Sequence, residues 1–99
     1  MTIRETIINE TVKARMDADK LNLISVVIFT RSPFNTLEEK KSFFSAYLDA
    51  HEYIDFQFEK QRKIGNPCLV YLRESIVKEE DFCKDLRWID SEDKFANKR

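Results

Sequence analysis

Residues 21–30 have the sequence LNLISVVIFT, and the fold class depends on whether this apolar stretch forms a helix or a strand. Its second part, residues 26–30, is β-branched and aromatic, which favours a strand by intrinsic propensity. Periodicity alone cannot assign so short an apolar run. We predict a buried helix and keep a strand over residues 23–30 as the alternative. The helix prediction rests on four residues at helical spacing: Leu21, Ile24, Val27 and Ile28.

Helix signals precede this stretch. Thr2 and Glu5 have the spacing of a capping box, in which the two side chains satisfy backbone amides at the start of a helix. The apolar residues that follow form one stripe: Ile3, Ile7, Ile8, Val12 and Met16. The pattern predicts a first helix that ends near residues 17–19.

The clearest helix pattern follows a turn at residues 32–35. Asn35 or Thr36 would cap this predicted third helix, and Gly65 would end it. Its apolar face is formed by Phe44, Tyr47, Leu48, His51, Ile54 and Phe58. Three basic residues lie near its negative end, where the helix dipole favours them: Lys60, Arg62 and Lys63.

The rest of the chain is predicted to add two short helices. The first begins at Pro67, because proline is well tolerated at the first helical position. A strand over residues 68–72 is the alternative to this helix. Residues 82–89 form the second amphipathic helix, and the polar residues 91–99 are expected to fray.

The fold class that we predict is all-α. One glycine and two prolines leave few turns, which favours helices over a sheet of many strands. The prediction is a single domain over residues 1–99, a bundle of four or five short helices. The alternative is an α+β domain in which two short strands, residues 23–30 and 68–72, pair beside the third helix.

Composition excludes several classes of protein. Seventeen basic residues stand against 18 acidic ones, without the basic excess that nucleic-acid binders of this size carry. Cys68 and Cys83 have neither redox nor zinc-site spacing. The longest apolar run is far too short for a membrane span, and the N-terminus lacks the apolar core of a secretory signal. We expect a cytoplasmic protein that does not bind membranes.

The residues that enzymes need are scarce. His51 is the only histidine, and Leu48 occupies the position where a helical metal site would need an acid. A lone histidine on an apolar helix face is more often a core or boundary residue than a catalytic one. One glycine excludes a glycine-rich phosphate loop. We predict no enzyme activity, no metal and no cofactor.

Two groups of residues suit binding better. Trp88 lies off the apolar stripe of its predicted helix, so it is a candidate protein-interface anchor, with Arg87 and Tyr71 as supporting contacts. The alternative is that Trp88 packs across a neighbouring helix. Lys60, Arg62 and Lys63 are possible RNA contacts, although complementing the helix dipole explains them better.

Three parts of the chain carry a further likeness. They are residues 14–21 (ARMDADKL), residues 36–39 (TLEE) with 58–62 (FEKQR), and residues 71–72 (YL) with Ile76 and 79–82 (EEDF). Together they resemble the N-terminal helical domain of the GatB/YqeY family, proteins related to the tail of tRNA-dependent amidotransferases. Arg73 stands where that family has a proline. The resemblance implies an all-helical fold and a link to tRNA charging or amidation, and it transfers no catalytic residue.

These observations together predict a small non-catalytic module that binds a larger protein or ribonucleoprotein. The link to tRNA charging or amidation is what the resemblance implies. Two alternatives stay open. One is a small inhibitor or adaptor of a host enzyme, of the viral accessory type. The other is direct binding of RNA or tRNA, which the balanced charge does not favour.

Overall fold

The computed structural model describes residues 3–34 and 36–80, and this part of the chain contains two helices and four strands. Each helix is followed by a β-hairpin. In chain order the elements are α1 (Ile3–Lys20), β1 (Ile24–Arg31), β2 (Leu37–Phe44), α2 (Tyr47–Lys63), β3 (Cys68–Leu72) and β4 (Ser75–Glu80).

The four strands form one antiparallel sheet in the order β2-β1-β3-β4. The first hairpin supplies β2 and β1, and the second supplies β3 and β4. β1 is central, so that Val27 lies opposite Lys41 of β2 on one side and Tyr71 of β3 on the other. α2 therefore carries the chain from an edge strand across β1 to β3.

The two helices cover opposite faces of this sheet. α1 packs Ile7 and Ala14 against one face of β1, and the cluster continues through Val27, Phe29 and Leu69. α2 packs Ala50 and Ile54 against the other face, where the cluster includes Val26, Ile28, Cys68, Val70 and Leu72. The architecture thus has three layers, helix, sheet and helix, with β1 buried from both sides.

The all-α bundle predicted from the sequence is wrong. The segments kept as alternative strands, residues 23–30 and 68–72, are strands β1 and β3, and the fold is α+β. The physical reason is the double coverage of β1. A strand buried on both faces loses the polar–apolar alternation that identifies a half-exposed strand, so its apolar run resembles a buried helix.

The beginning of the predicted third helix is also wrong, because residues 37–44 form strand β2. Their sequence, LEEKKSFF, is rich in Glu and Lys, which favour helices. All eight residues nevertheless pair with β1. Pairing with a neighbouring strand outweighs the modest intrinsic preference, and charged residues are common on sheet edges.

Other helix boundaries agree better with the sequence. α1 continues through the predicted corner to Lys20, and Thr2, its predicted cap, lies outside the described residues. α2 begins at Tyr47 and ends at Lys63, two residues before Gly65. Gly65 has a φ of +70°, and its N–H donates to the carbonyl oxygen of Arg62, so its predicted role as the helix breaker is confirmed.

The link between β3 and β4 contains a strained residue. Arg73 has a φ of +58°, which costs a residue with a side chain about 1–2 kcal/mol. Its guanidinium donates to the Tyr47 hydroxyl over a long 3.4 Å, which compensates little.

We expect Arg73→Gly to raise the free energy of unfolding by about 0.5–1 kcal/mol, measured by urea denaturation. The adjacent change Glu74→Gly is the control. It should lower stability, because Glu74 does not have a positive φ.

Candidate protein-binding surface

Three large apolar side chains are exposed on the β1–β2 hairpin, on α2 and directly after α2. Phe34, at the tip of the β1–β2 hairpin, is 86% exposed. Phe56, on the outer side of α2, is 67% exposed, and Ile64, directly after that helix, is 71% exposed. We call Pro33, Phe34, Phe56 and Ile64 the hairpin–helix surface. Single exposed apolar residues are ordinary, but a group of them on ordered elements indicates a contact surface.

Two clefts are lined by three members of this surface, Pro33, Phe56 and Ile64. One, of about 460 Å³, lies between the hairpin and the end of α2 and is lined by Pro33 and Ile64. The other, of about 710 Å³, lies along α2 and is lined by Phe56 and Ile64. Ile64 lines both clefts, so the two clefts meet at the end of α2. We call the second cleft, which Phe56 and Ile64 line, the apolar depression.

The hairpin that presents Phe34 is held by the buried Ser32. The hydroxyl oxygen of Ser32 accepts hydrogen bonds from the backbone N–H groups of Phe34, at 3.1 Å, and Thr36, at 3.2 Å. It also shares a hydrogen bond of 2.6 Å with the Thr36 hydroxyl. A serine that bonds to backbone groups ahead of it stabilises a tight turn. The position of Phe34 is therefore set by local structure.

The opposite wall of the first cleft is also ordered. The Asn66 side-chain amide donates to the Gln61 side-chain oxygen at 2.8 Å, and the Asn66 backbone N–H donates to the Gln61 carbonyl oxygen at 3.0 Å. Both residues line the cleft, together with Thr30, Arg31, Ser32 and Glu38. This cleft thus offers polar groups beside the apolar side chains, as the rim of a protein interface does.

Charges around the second cleft are unequally matched. Asp55 lies 3.7 Å from the Lys78 ammonium, and Glu59 accepts two hydrogen bonds from Arg62, at 3.1 and 2.9 Å. The hydrogen bond from Arg62 lowers the pKa of the Glu59 carboxyl below its usual value. Both carboxylates in the cleft lining are therefore already engaged by basic side chains.

Lys60 and Lys63 line the same cleft and are exposed. Among residues 3–34 and 36–80, neither ammonium has a carboxylate within ion-pair distance. Of the three predicted RNA contacts, these two accompany Phe56 and Ile64, whereas Arg62 is bonded to Glu59. The apolar depression is consequently bordered by two positive charges that are available to a partner.

Of the residues in the predicted interface around Trp88, only Tyr71 belongs to the described part of the chain. Trp88 and Arg87 lie outside the described residues. Tyr71 lies on β3, half-buried, with its ring edge-on to Phe29 at 6.0 Å between centroids. Phe29 belongs to the core on the α1 side of the sheet, so Tyr71 is on the opposite side from α2.

His51, the histidine considered for catalysis and metal binding, lies on α2. It is exposed and is not among the residues that line the two clefts. Within residues 3–34 and 36–80, no group of three His, Cys, Asp or Glu side chains could hold a metal ion. Over the same residues, neither helix combines the length and apolar character needed to cross a bilayer.

Sequence reasoning missed two members of the hairpin–helix surface, Phe34 and Ile64. The available signal was their location, since each large apolar residue adjoins a turn residue, Pro33 or Gly65, where no helix or strand would bury it.

In comparisons with known proteins, no family model, no curated protein and no solved structure matches this chain.

Proposed function

We propose that the chain is a non-catalytic module that binds a larger protein through the hairpin–helix surface. The observation that carries this proposal is the exposure of Phe56 and Ile64 in the lining of the apolar depression, with Phe34 exposed on the neighbouring hairpin. A few large side chains supply most of the affinity of protein interfaces, and aromatic residues are prominent among them. The proposal keeps the cytoplasmic location that the sequence predicts.

The charges at the second cleft support a particular kind of partner. Lys60 and Lys63 border Phe56 and Ile64, while the nearby carboxylates of Asp55 and Glu59 are held by other basic groups. A complementary partner would place apolar side chains in the depression and acidic side chains opposite the two lysines. We therefore propose a partner segment that is apolar at its centre and acidic at its edges.

RNA binding through Lys60, Arg62 and Lys63 is the competing proposal. Arg62 is already bonded to Glu59, which leaves two lysines, and two phosphate contacts give little affinity. Exposed Phe56 could stack on a base, but Ile64 has no comparable role in RNA recognition. The arrangement therefore supports a protein partner better. The link to tRNA charging rests on the family resemblance alone and stays a prediction.

The test compares variants as bait in affinity purification from the native host. We expect Phe56→Ala to weaken partner binding by about 2 kcal/mol or more, which is roughly 30-fold in Kd. Leu48→Ala is the matched control, because Leu48 is similarly exposed on the same helix but lies outside both clefts. A partner retained by the wild type and by Leu48→Ala, and lost by Phe56→Ala, supports the proposal.

Further measurements identify the partner and its class. The purified partner should bind the wild type and Leu48→Ala with similar Kd, and should bind Phe56→Ala with a Kd about 30-fold higher. Equal affinity of wild type and Phe56→Ala would contradict the proposed surface. Nuclease-sensitive capture that falls steeply with salt and is unaffected by Phe56→Ala would indicate RNA instead. The identity of the captured protein then separates an inhibitor of a host enzyme from an adaptor.

A further inference from the structure

The outer edge of β2 offers backbone hydrogen-bonding groups. β2 is an edge strand, and no other described strand pairs with its outer side. It is eight residues long and pairs with β1 without a register shift. β4, at the other edge, is interrupted by a register shift opposite Val70 and Tyr71. Such irregularities protect an edge from further pairing, whereas a long regular edge can accept another strand.

We propose that two copies of the chain associate by antiparallel pairing of their β2 strands, with Lys40 opposite Lys40 of the second copy. A closed homodimer has a two-fold axis, and here the axis would pass perpendicular to the sheet between the two Lys40 residues. This symmetry keeps the α1 sides of both sheets on one face. It places together residues that lie equally far from Lys40 in opposite directions.

Complementarity on the α1 side of the sheet supports this register. Glu39 lies opposite Lys41 of the second copy, and Leu37 lies opposite Phe43 of the second copy. The symmetry makes each pair occur twice, which gives two ion pairs flanked by two apolar pairs. Opposite charges and apolar side chains directly across an antiparallel pair both stabilise it. Phe43 is partly exposed in the single chain, so pairing would cover it.

The position of Lys41 is fixed before the second copy arrives. Its ammonium donates to a carboxylate oxygen of Glu10 on α1. This hydrogen bond raises the pKa of Lys41 and lowers the pKa of Glu10, so both groups are charged at neutral pH. Lys41 would then lie between Glu10 of its own chain and Glu39 of the second copy, in a small charge network.

The neighbouring registers are less favourable. Centring the axis on Glu39 would place Glu39 opposite itself and Leu37 opposite Lys41. Centring it on Lys41 would place Lys41 opposite itself and Glu39 opposite Phe43. Each of the three registers places one charged residue opposite itself, so they differ in the remaining pairs, and only the proposed register combines opposite-charge pairs with apolar pairs. In the proposed register the residue opposite itself is Lys40, and Glu38 of each copy lies diagonally adjacent to it on the same face.

Charge reversal gives the sharpest test, with the purified full chain at a series of concentrations in sedimentation equilibrium. Glu39→Lys and Lys41→Glu should each weaken dimerisation about tenfold or more, because two attractive pairs become repulsive. An equimolar mixture of the two variants should regain the dimer, because positions 39 and 41 are then both basic in one chain and both acidic in the other. Monomeric wild type at all concentrations, or a mixture no stronger than its components, would overturn the proposal.

Cysteine cross-linking checks the register independently of the charges. In a Cys83→Ser background, Lys40→Cys should form an intermolecular disulfide under mild oxidation, because directly opposite Cβ atoms are about 4.5–5.5 Å apart. Glu38→Cys is the control on the same face. Its two copies would be four residue steps apart, about 13 Å, which is too far for a disulfide. Equal cross-linking of both variants would refute the register.

Folding of each variant is checked by thermal melting. Glu39→Lys leaves the bond between Lys41 and Glu10 intact, so it keeps the test decisive if Lys41→Glu is poorly folded. The dimer test uses only purified chain, and the function test uses a partner and residues on α2. The two proposals can therefore fail separately.

Discussion

Replacing Phe29 with alanine is expected to lower the free energy of unfolding by about 3–5 kcal/mol. Phe29 lies in the central strand and is fully buried in the cluster that joins α1 to the sheet. Its ring also meets the ring of Tyr71 edge-on. Alanine would remove this contact and leave a cavity in a layer covered by a single helix. A small domain is stabilised by only about 5–15 kcal/mol, so a large fraction of its stability would be lost.

Phe34→Ala is the matched control for this change. The two phenylalanines are five residues apart, one inside the sheet and the other exposed at the adjacent hairpin tip. Removing the exposed ring should change stability by no more than about 0.5 kcal/mol. Urea denaturation of both variants, followed by circular dichroism, measures the difference. Similar losses of stability in the two variants would contradict the placement of Phe29.

The second large effect concerns the other side of the sheet. Ile54→Ala is expected to cost about 2–5 kcal/mol of unfolding free energy. Ile54 is fully buried and connects α2 to the opposite face of β1, where Val26 and Ile28 lie. α2 is the only described helix that covers this face. The cavity would therefore weaken the attachment of the whole layer.

Phe56→Ala, two residues further along α2, is the control for Ile54→Ala. Phe56 points away from the sheet and is exposed, so its removal should leave the melting temperature nearly unchanged. The two variants are expected to separate stability from binding. Ile54→Ala should lower the melting temperature, and Phe56→Ala should lower partner affinity. A melting temperature that falls equally in both would show that Phe56 belongs to the core.

The sequence contained much of the fold, but as an alternative to the preferred prediction. β1 and β3 were recognised as possible strands from their β-branched residues, and the preferred helices were wrong. Whether a fully apolar run is a strand depends on the helices that cover it in the folded chain, and for β1 one of these, α2, follows only after β2. Local periodicity cannot report that coverage.

β2 was also predicted wrongly as a helix, because its local composition favours a helix and its strand conformation depends on pairing with β1. Its Glu and Lys residues favour a helix when the segment is considered alone, and they continue without a break into the pattern of α2. The strand is specified by its partner, since all eight residues pair with β1. By contrast, the end of α2 was predicted well, because Gly65 adopts a positive φ for local reasons.

The candidate site was predicted only in part. Lys60 and Lys63 were predicted as possible RNA contacts, with their position at a helix end as the preferred explanation, and the structure places them beside exposed Phe56. Phe34 and Ile64 were missed because exposure depends on the rest of the fold. The sequence placed Phe34 in a turn but could not show that the hairpin tip lies at the same end of the molecule as the end of α2.

The central position of β1 also affects how the chain is synthesised. Phe29 pairs with Leu69, so β1 emerges from the ribosome about forty residues before its second neighbour. During that interval the nascent chain can form α1 and the first hairpin, but one edge of its most apolar strand stays open. An apolar strand with an open edge is a site for aggregation and chaperone binding. Pairing between residues so far apart in the sequence also slows folding. The open edge of β1 is therefore protected from aggregation only after β3 has been synthesised and has paired with it.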